Sequence, residues 1–386
     1  MRKVEQIRTA QTAATDARQA VRDFHAAVQQ PAMALVIFFC SSRYDLDALA
    51  DEMNRLFIGV KVVGCTTAGE IGPAGYCDFS LSGASFPAGS FSAVTGLLGH
   101  LQQFDIAKGQ AFANTLLQQL EAQAPDSDAT NSFGFLLIDG LSVREEPAVR
   151  TFQNVLGKIP LFGGSAGDDL QFLRTWVFHD GAFHTDSALL ILGSTPLPFR
   201  IFKTQHFASD AERLVVTEAD AALRVVNEIN GLPAAEEYAR VVGFHVDDLS
   251  PIGFATSPVV VVIDGTDYVR SIQKANADGS LTFFCAIEEG LVLRVAHCES
   301  LLDNLNDNFD AIRAEIGPPQ AVFACDCILR NLEMMQDNLR EAVGDIFRRN
   351  NAVGFSTYGE QYGGVHVNQT LTGIAFGAAQ EQASND

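Results

Sequence analysis

The sequence predicts a mixed α/β protein of two domains, each with parallel and antiparallel strands flanked by helices. Three observations lead there. One run of strand, helix, strand and Gly/Ser/Thr loop occurs three times along the chain. Stretches of alternating strands separated by turn residues lie between its copies. The 386 residues, 47% of them apolar, suffice for two cores of ordinary size.

The first copy opens at 34–40, ALVIFFC, an apolar run that reads as a buried strand and ends in Cys40-Ser41-Ser42-Arg43. Leu46, Leu49, Met53, Leu56 and Phe57 follow at helical spacing, so this helix lays one apolar stripe on a sheet. A second strand then breaks into the loop of VVGCTTAGEIGPAGY (62–76). The second copy is FGFLLID (133–139), Arg144, a helix with Val149, Phe152, Val155 and Leu156 inward, and PLFGGSAGDD (160–169). The third is AVFACDC (321–327), Arg330, one helix built on Leu332, Met335, Leu339, Val343 and Ile346, and AVGFSTYGEQYGG (352–364). Cys40 to Gly64 and Asp139 to Gly163 each span 24 positions, and Cys325 to Gly354 spans 29, a drift that suits a longer helix.

A strand, a crossover helix and a second strand form a parallel pair, and the right-handed crossover puts both carboxyl ends on one sheet edge. Ligands of open α/β sheets sit there. The glycines, Gly64 and Gly359 among them, would then let a ligand or another backbone approach the loop N–H groups beside Thr66. Arg43 with Glu70, Arg144 with Asp168 and Arg330 with Glu360 are expected to meet at this rim, either around a ligand or as ion pairs that only hold the loops.

Between the copies, 79–99, 175–193 (with Asp180-Gly181 as a turn) and 258–297 read as strands and hairpins. Residues 218–243 read as a helical joint where a second domain begins, giving domains at 1–217 and 218–386. The first 28 residues mix charges through a helical pattern without the apolar segment of a secretory signal, and 378–386 read as a frayed polar tail.

Twenty-six Lys+Arg against 47 Asp+Glu give a formal charge of −21, which opposes nucleic acid and anionic membranes as partners. Seven cysteines, odd in number and scattered, suit reduced thiols in a cytoplasmic protein better than a disulfide framework. No nucleotide fingerprint is present, since GCTTAGE and GGSAGDD lack both a P-loop lysine and the G-x-G-x-x-G spacing. A thiol nucleophile at Cys65 or Cys325 assisted by His366 rests on unproven proximity, and the expectation is a protein that catalyses nothing.

VVGCTTAGEI, PLFGGSAGDD, EEYARVVG, VRSI with DGSLTFF, FACDCILR and STYGEQYGGVHVNQT, in that order, resemble the FIST family of bacterial sensory modules, with an N-terminal and a C-terminal FIST domain. A stand-alone chain of this length is similar to the family's haem-binding, nitric-oxide-sensing members. The resemblance implies haem b as cofactor, nitric oxide as ligand and a partner histidine kinase; homodimerisation is left open.

A sensor haem needs an axial ligand, usually imidazole, in an apolar pocket, with cationic groups for its propionates. His245, after an apolar helix end and beside Asp247 and Asp248, is the first choice; His297 and His366 follow, with Arg330 and Arg43 as cationic groups. His206 sits between phenylalanines as a pocket wall or an edge strand. Two alternatives stay open. Cys40, Cys65, Cys325 and Cys327 would converge on zinc or an iron–sulfur cluster if the domains face each other, or the arginines and Gly-rich loops would hold a small anionic metabolite.

Overall fold

The computed structural model describes residues 6–263 and 265–378. Its architecture is a mixed α+β arrangement of three six-stranded sheets and one eight-stranded sheet, in agreement with the expected class. The three six-stranded sheets belong to the three repeats, here units I, II and III. Each unit runs outer strand, helix, central strand, helical crossover, parallel strand, short hairpin and return strand.

Unit I comprises Arg8–Thr12, helix Ala17–Val28, Met33–Ser41, helix Leu46–Leu56, Val62–Thr67, the hairpin Glu70–Gly72/Gly75–Cys77 and Leu81–Pro87. Unit II comprises Ser92–Gly99, helix Ile106–Gln123, Ser132–Ile138, helix Glu145–Leu156, Leu161–Ser165, the hairpin Val177–His179/Ala182–His184 and Ser187–Ser194. Unit III starts at Phe199–Thr204, is interrupted by an inserted body from 207 to 298, and resumes with helix Leu301–Ile316 and Ala321–Cys327. Its crossover helices, parallel strand Ala352–Thr357, hairpin Glu360–Tyr362/Val365–Val367 and return strand Leu371–Phe376 complete it. Asp16, Asp105 and Ser300 cap the first helix of their respective units by accepting a backbone N–H three residues on.

The hairpins do not stay at home. That of unit I pairs with the parallel strand of unit III, that of unit III with unit II, and that of unit II with unit I. The exchange closes a ring. Each central strand sends alternate residues to two cores. Phe39, Phe135 and Phe323 enter one shared centre, where Phe39 stacks on Phe355 at 4.7 Å and Phe135 on Phe162 at 4.5 Å. Val36 and Phe38, Leu136 and Ile138, and Val322 and Ala324 face their own units' helices.

The matched glycines pair across each parallel ladder as Phe38 with Gly64, Leu136 with Gly163 and Ala324 with Gly354. A Cβ on these glycines would stand 2.4, 2.1 and 1.8 Å from the paired residue's carbonyl oxygen. They accommodate the neighbouring strand.

The inserted body is an eight-stranded antiparallel sheet around Leu214, Val226, Tyr238, Phe254 and Leu293, with helices Ala234–Val242 and Pro251–Thr256. Position 217/218 falls inside its long strand Phe207–Asp220.

Four local expectations are corrected. Residues 218–243 are helical only from Ala234, because Val225, Val226 and Ile229 pair as a strand that turns at Asn230-Gly231. The N-terminal pattern is a strand at Arg8–Thr12 before its helix, held by Leu81–Pro87. Leu81–Pro87 and Ser92–Gly99 lie in different sheets and form no hairpin. The third crossover is two helices, Ile328–Gln336 and Arg340–Arg349, because Asn338 takes φ 57; Val343 and Ile346 are buried while Met335 is 51% exposed. From residue 379 the tail lies outside the described residues.

The glycine requirement is testable. Gly64→Ala and Gly354→Ala are each expected to cost about 3 kcal/mol of stability, since strand or carbonyl must shift. Gly99→Ala, whose Cβ would find only Ser187 Oγ at 3.7 Å, is the control and should change little. Denaturant midpoints that rank Gly99→Ala with the other two would contradict this account.

Candidate functional site

The carboxyl ends of the parallel strands do converge, but they lock onto one another. Ala68 N–H donates to Ser356 O at 3.0 Å and Ser356 N–H to Gly69 O at 2.7 Å. Ser165 N–H donates to Gly359 O at 2.8 Å, Tyr358 N–H to Ser165 O at 3.2 Å and Gly167 N–H to Thr66 O at 3.0 Å. Gly64 packs on the Phe38 carbonyl, while Thr66 exchanges hydrogen bonds with Trp176 through its N–H and hydroxyl. Of the two uses foreseen for these glycines, approach of another backbone is the one observed.

The expected arginine–acid pairs are replaced by others. Arg43 pairs with Asp169 at 3.3 Å, donates to Asp78 O and lies over the Phe79 ring. Arg144 donates to Val143 O, whereas Asp168 accepts the N–H groups of Phe172, Leu173 and Arg174 and the Tyr358 hydroxyl. Glu70 accepts from Thr67 and Ser80, and Glu360 from Thr357 and Thr370. Burial pushes both carboxyls up to about 8. In unit II, Asp139 takes the return-strand N–H of Asp186 instead.

Arg330 is fully buried and donates to Asp326 and to His206 Nδ1, both at 2.7 Å. Burial outweighs that partner and raises Asp326 to about 6. Because a guanidinium only donates, His206 Nδ1 accepts, and its Nε2 proton goes to Glu333 at 2.9 Å. This chain, Asp326–Arg330–His206–Glu333, stands at the entry to the inserted body, and Glu299 N–H ties the exit back to His206 O at 2.7 Å. Sequence reading missed it. The aromatic flanks of His206 hinted at burial, but Glu333 lies 127 positions away.

At the rim a cleft of about 260 Å³ draws its walls from all three units: Arg43, Ala68 and Asp78 from I, Asp169 and Leu170 from II, and Ile328, Asn331, Leu332 and Met335 from III. Its unit III wall is one stripe of helix Ile328–Gln336. Asn331 is 2% exposed and its Oδ1 has no hydrogen-bond partner among the described residues. A larger hollow of about 530 Å³, lined by Met53, Phe57, His179 and Asp180 among others, lies beside the unit II hairpin and helix Leu46–Leu56 rather than at the interlocked loops.

The three candidate haem ligands are not brought together. The His245 side chain is 72% exposed beside Asp247, and that of His297 is 60% exposed beside Asp210. His366 is buried, but its ring packs on Gly359, where a Cβ would come within 2.3 Å of Cε1. Burial, with Arg224 and Arg270 nearby, lowers its pKa to about 4 against the opposing pull of Glu146. Two solvated imidazoles, a third among charged groups, and Arg43 and Arg330 already paired do not fit a haem in an apolar slot.

The cysteines fare no better as a cluster. Cys40 belongs to the helix-side core of unit I, Cys65 and Cys325 to the shared centre, and Cys327 packs with Ile328 and Tyr358. Spread over three clusters, they do not gather as a ligand set among the described residues. Among the described residues, His206, Cys298 and Glu333 bring three potential ligand atoms within 4.8 Å of one another. There, Arg330 and Glu333 occupy both ring nitrogens of His206, leaving no lone pair for a metal.

The buried acids predict a pH dependence. Glu70 and Glu360 are protonated when folded and ionised when unfolded between about 4.5 and 8, so stability is full below that window and falls as pH rises through it. The slope approaches about 1.4 kcal/mol per pH unit for each group. The Glu70→Gln/Glu360→Gln variant should lose this decline and exceed the wild type in stability at pH 7.5; parallel profiles from pH 5 to 8 would refute the assignment.

No helix among the described residues is long and apolar enough to cross a membrane. No curated protein matches the chain. The FIST N domain model matches residues 34–232, more than half of the sequence, and the FIST C domain model matches residues 234–363. With both domains present in sequence and in consecutive order, the chain belongs to the FIST family.

Proposed function

We propose that this protein is a sensory module that takes a compact amphipathic ligand into the rim cleft and passes its occupied state to a partner, a histidine kinase being the partner that the family resemblance implies. One observation carries the reading: the cleft is walled by all three units and contains a buried amide whose oxygen is unpartnered. Leu170, Ile328, Leu332 and Met335 suit an apolar body, and Asn331 Oδ1 suits an N–H or O–H donor. Arg43 is balanced by Asp169, and Asp78 by Arg340, so nothing at the mouth demands an anion.

The same helix offers a route outward. Ile328–Gln336 presents Asn331, Leu332 and Met335 to the cleft, while its Arg330 and Glu333 hold His206 at the base of the inserted body. A ligand that shifts this helix therefore bears on the hinge of the insert. Such a shift needs different affinities for the two positions, which is the thermodynamic content of sensing. The reading assigns binding and signalling, with no reaction.

A thermal-shift panel of small amphipathic amides, amines and alcohols tests this. Some members should raise the midpoint saturably in the wild type and fail in Leu332→Trp, which fills the cleft. Asn331→Leu should bind them more weakly while its ligand-free form gains about 1 kcal/mol, because an unsatisfied buried amide is removed. A panel without response, together with a Soret band that nitric oxide displaces in protein from haem-replete cells, would overturn the cleft reading and restore the haem one.

A further inference from the structure

A second group of unsatisfied polar atoms lies where the inserted sheet meets units II and III, apart from the rim cleft. Arg270 closes the strand Thr266–Arg270, and its Nε and Nη1 are buried without a partner among the described residues. A guanidinium keeps its charge in any environment, so two unmet N–H groups are costly. The acids close by are engaged elsewhere. Arg224 Nη2 binds Glu145 at 2.7 Å and Glu146 at 2.5 Å, and Glu146 also accepts Ala286 N–H at 2.6 Å.

The neighbouring groups add further unmet donors, together with the unmet acceptor Asn368 Oδ1. Gln361 Nε2 approaches His366 Nδ1 at 3.4 Å, which leaves the proton on Nε2, and that atom is buried and unpartnered. The Phe284 carbonyl accepts from Arg224 Nη1 and its second lone pair faces the imidazole from beyond close hydrogen-bond distance. The Ser271 hydroxyl and both amide atoms of Asn368 are likewise buried without partners. His366 and Asn368 meet over Gly359, where a Cβ would lie 2.3 Å from the imidazole Cε1 and 3.0 Å from Asn368 Nδ2.

Glu145 and Glu146 both spend their hydrogen bonds on Arg224, and burial holds the Glu145 carboxyl above the usual carboxylate range, so Arg270 has no carboxylate of its own among the described residues. Burial keeps the adjacent Cys285 thiol protonated, with its pKa raised to about 11. A guanidinium with unmet N–H groups beside further orphaned donors suits an acceptor that carries charge.

We propose that this seam binds a small oxyanion, a carboxylate or a phosphate, with Arg270 as its charge partner and the donors of Ser271, His366 and Asn368 around it. The ligand would complete the contact that holds the inserted sheet on helix Glu145–Leu156. Its site shares no residue with the rim cleft, so either can be true without the other.

The test is thermal unfolding and calorimetry of the full chain at matched ionic strength, with sodium phosphate, sodium acetate or sodium succinate against sodium chloride. Phosphate or the carboxylates, but not chloride, should raise the midpoint saturably, and which arm responds identifies the source. Arg270→Gln should bind the responding anion about ten- to a hundredfold more weakly, the loss expected of a charged hydrogen-bond partner. His366→Phe, which keeps the ring and removes the donor, should weaken it in the same direction and supplies a second variant if Arg270→Gln folds poorly. The cleft response should survive in both. Equal shifts with chloride, no saturable binding in any arm, or unchanged affinity in Arg270→Gln and His366→Phe would overturn the proposal and assign these donors to water.

Discussion

Everything in the body of this protein depends on the exchange of hairpins between three sheets. A parallel strand at the sheet's edge would present a row of free N–H and C=O groups. Each unit meets that need with a hairpin from a neighbour, and each neighbour is supplied in turn, so the three sheets close around one shared aromatic centre. Because every loop that leaves a parallel strand must reach another sheet, the strand ends are crowded with backbone. Small residues there follow from this crowding: Gly167 lies where a side chain would strike Ala68, and Gly164 where one would strike Thr357 and Phe355.

The same geometry explains the buried acids. A chain that leaves its sheet and returns must have its returning N–H met, and Glu70, Asp139 and Glu360 accept that N–H in units I, II and III. No cation accompanies Glu70 or Glu360 in these contacts. A neutral carboxyl can donate as well as accept, which suits a position flanked by hydroxyls, and desolvation keeps it neutral. The acids that close the loops are therefore fastenings of the return strand rather than partners for arginine.

Helix Ile328–Gln336 stands between the rim and the inserted body, apolar toward the cleft and charged toward His206. The Asp326–Arg330–His206–Glu333 chain is low in exposure throughout, so displacing one member would leave another unpaired in a medium that penalises it. Those contacts tie the helix to the base of the insert. The two FIST domain models meet at 232–234, within the inserted body, so the family's division of the chain does not follow the division into structural units.

Three crossovers and their glycines were legible because periodicity and spacing are local properties: Gly64, Gly163 and Gly354 fall in equivalent registers, although Cys40, Asp139 and Cys325 stand at different distances past the residues those glycines pair with. The family was legible for the same reason. The partners of Arg43 and Arg330 were not, since Asp169 and His206 come from other units or from the far side of the insert, and nothing in the neighbouring sequence marks them. Nor was the choice among histidines: His245 follows an apolar helix end yet stands in solvent, while His206 and His366 are enclosed by segments remote in sequence. Amino-acid order alone determined which elements form and which face of each is apolar. Tertiary structure decided where the hairpins pair and which polar atoms are left without partners, because those outcomes depend on long-range contacts that no local pattern encodes.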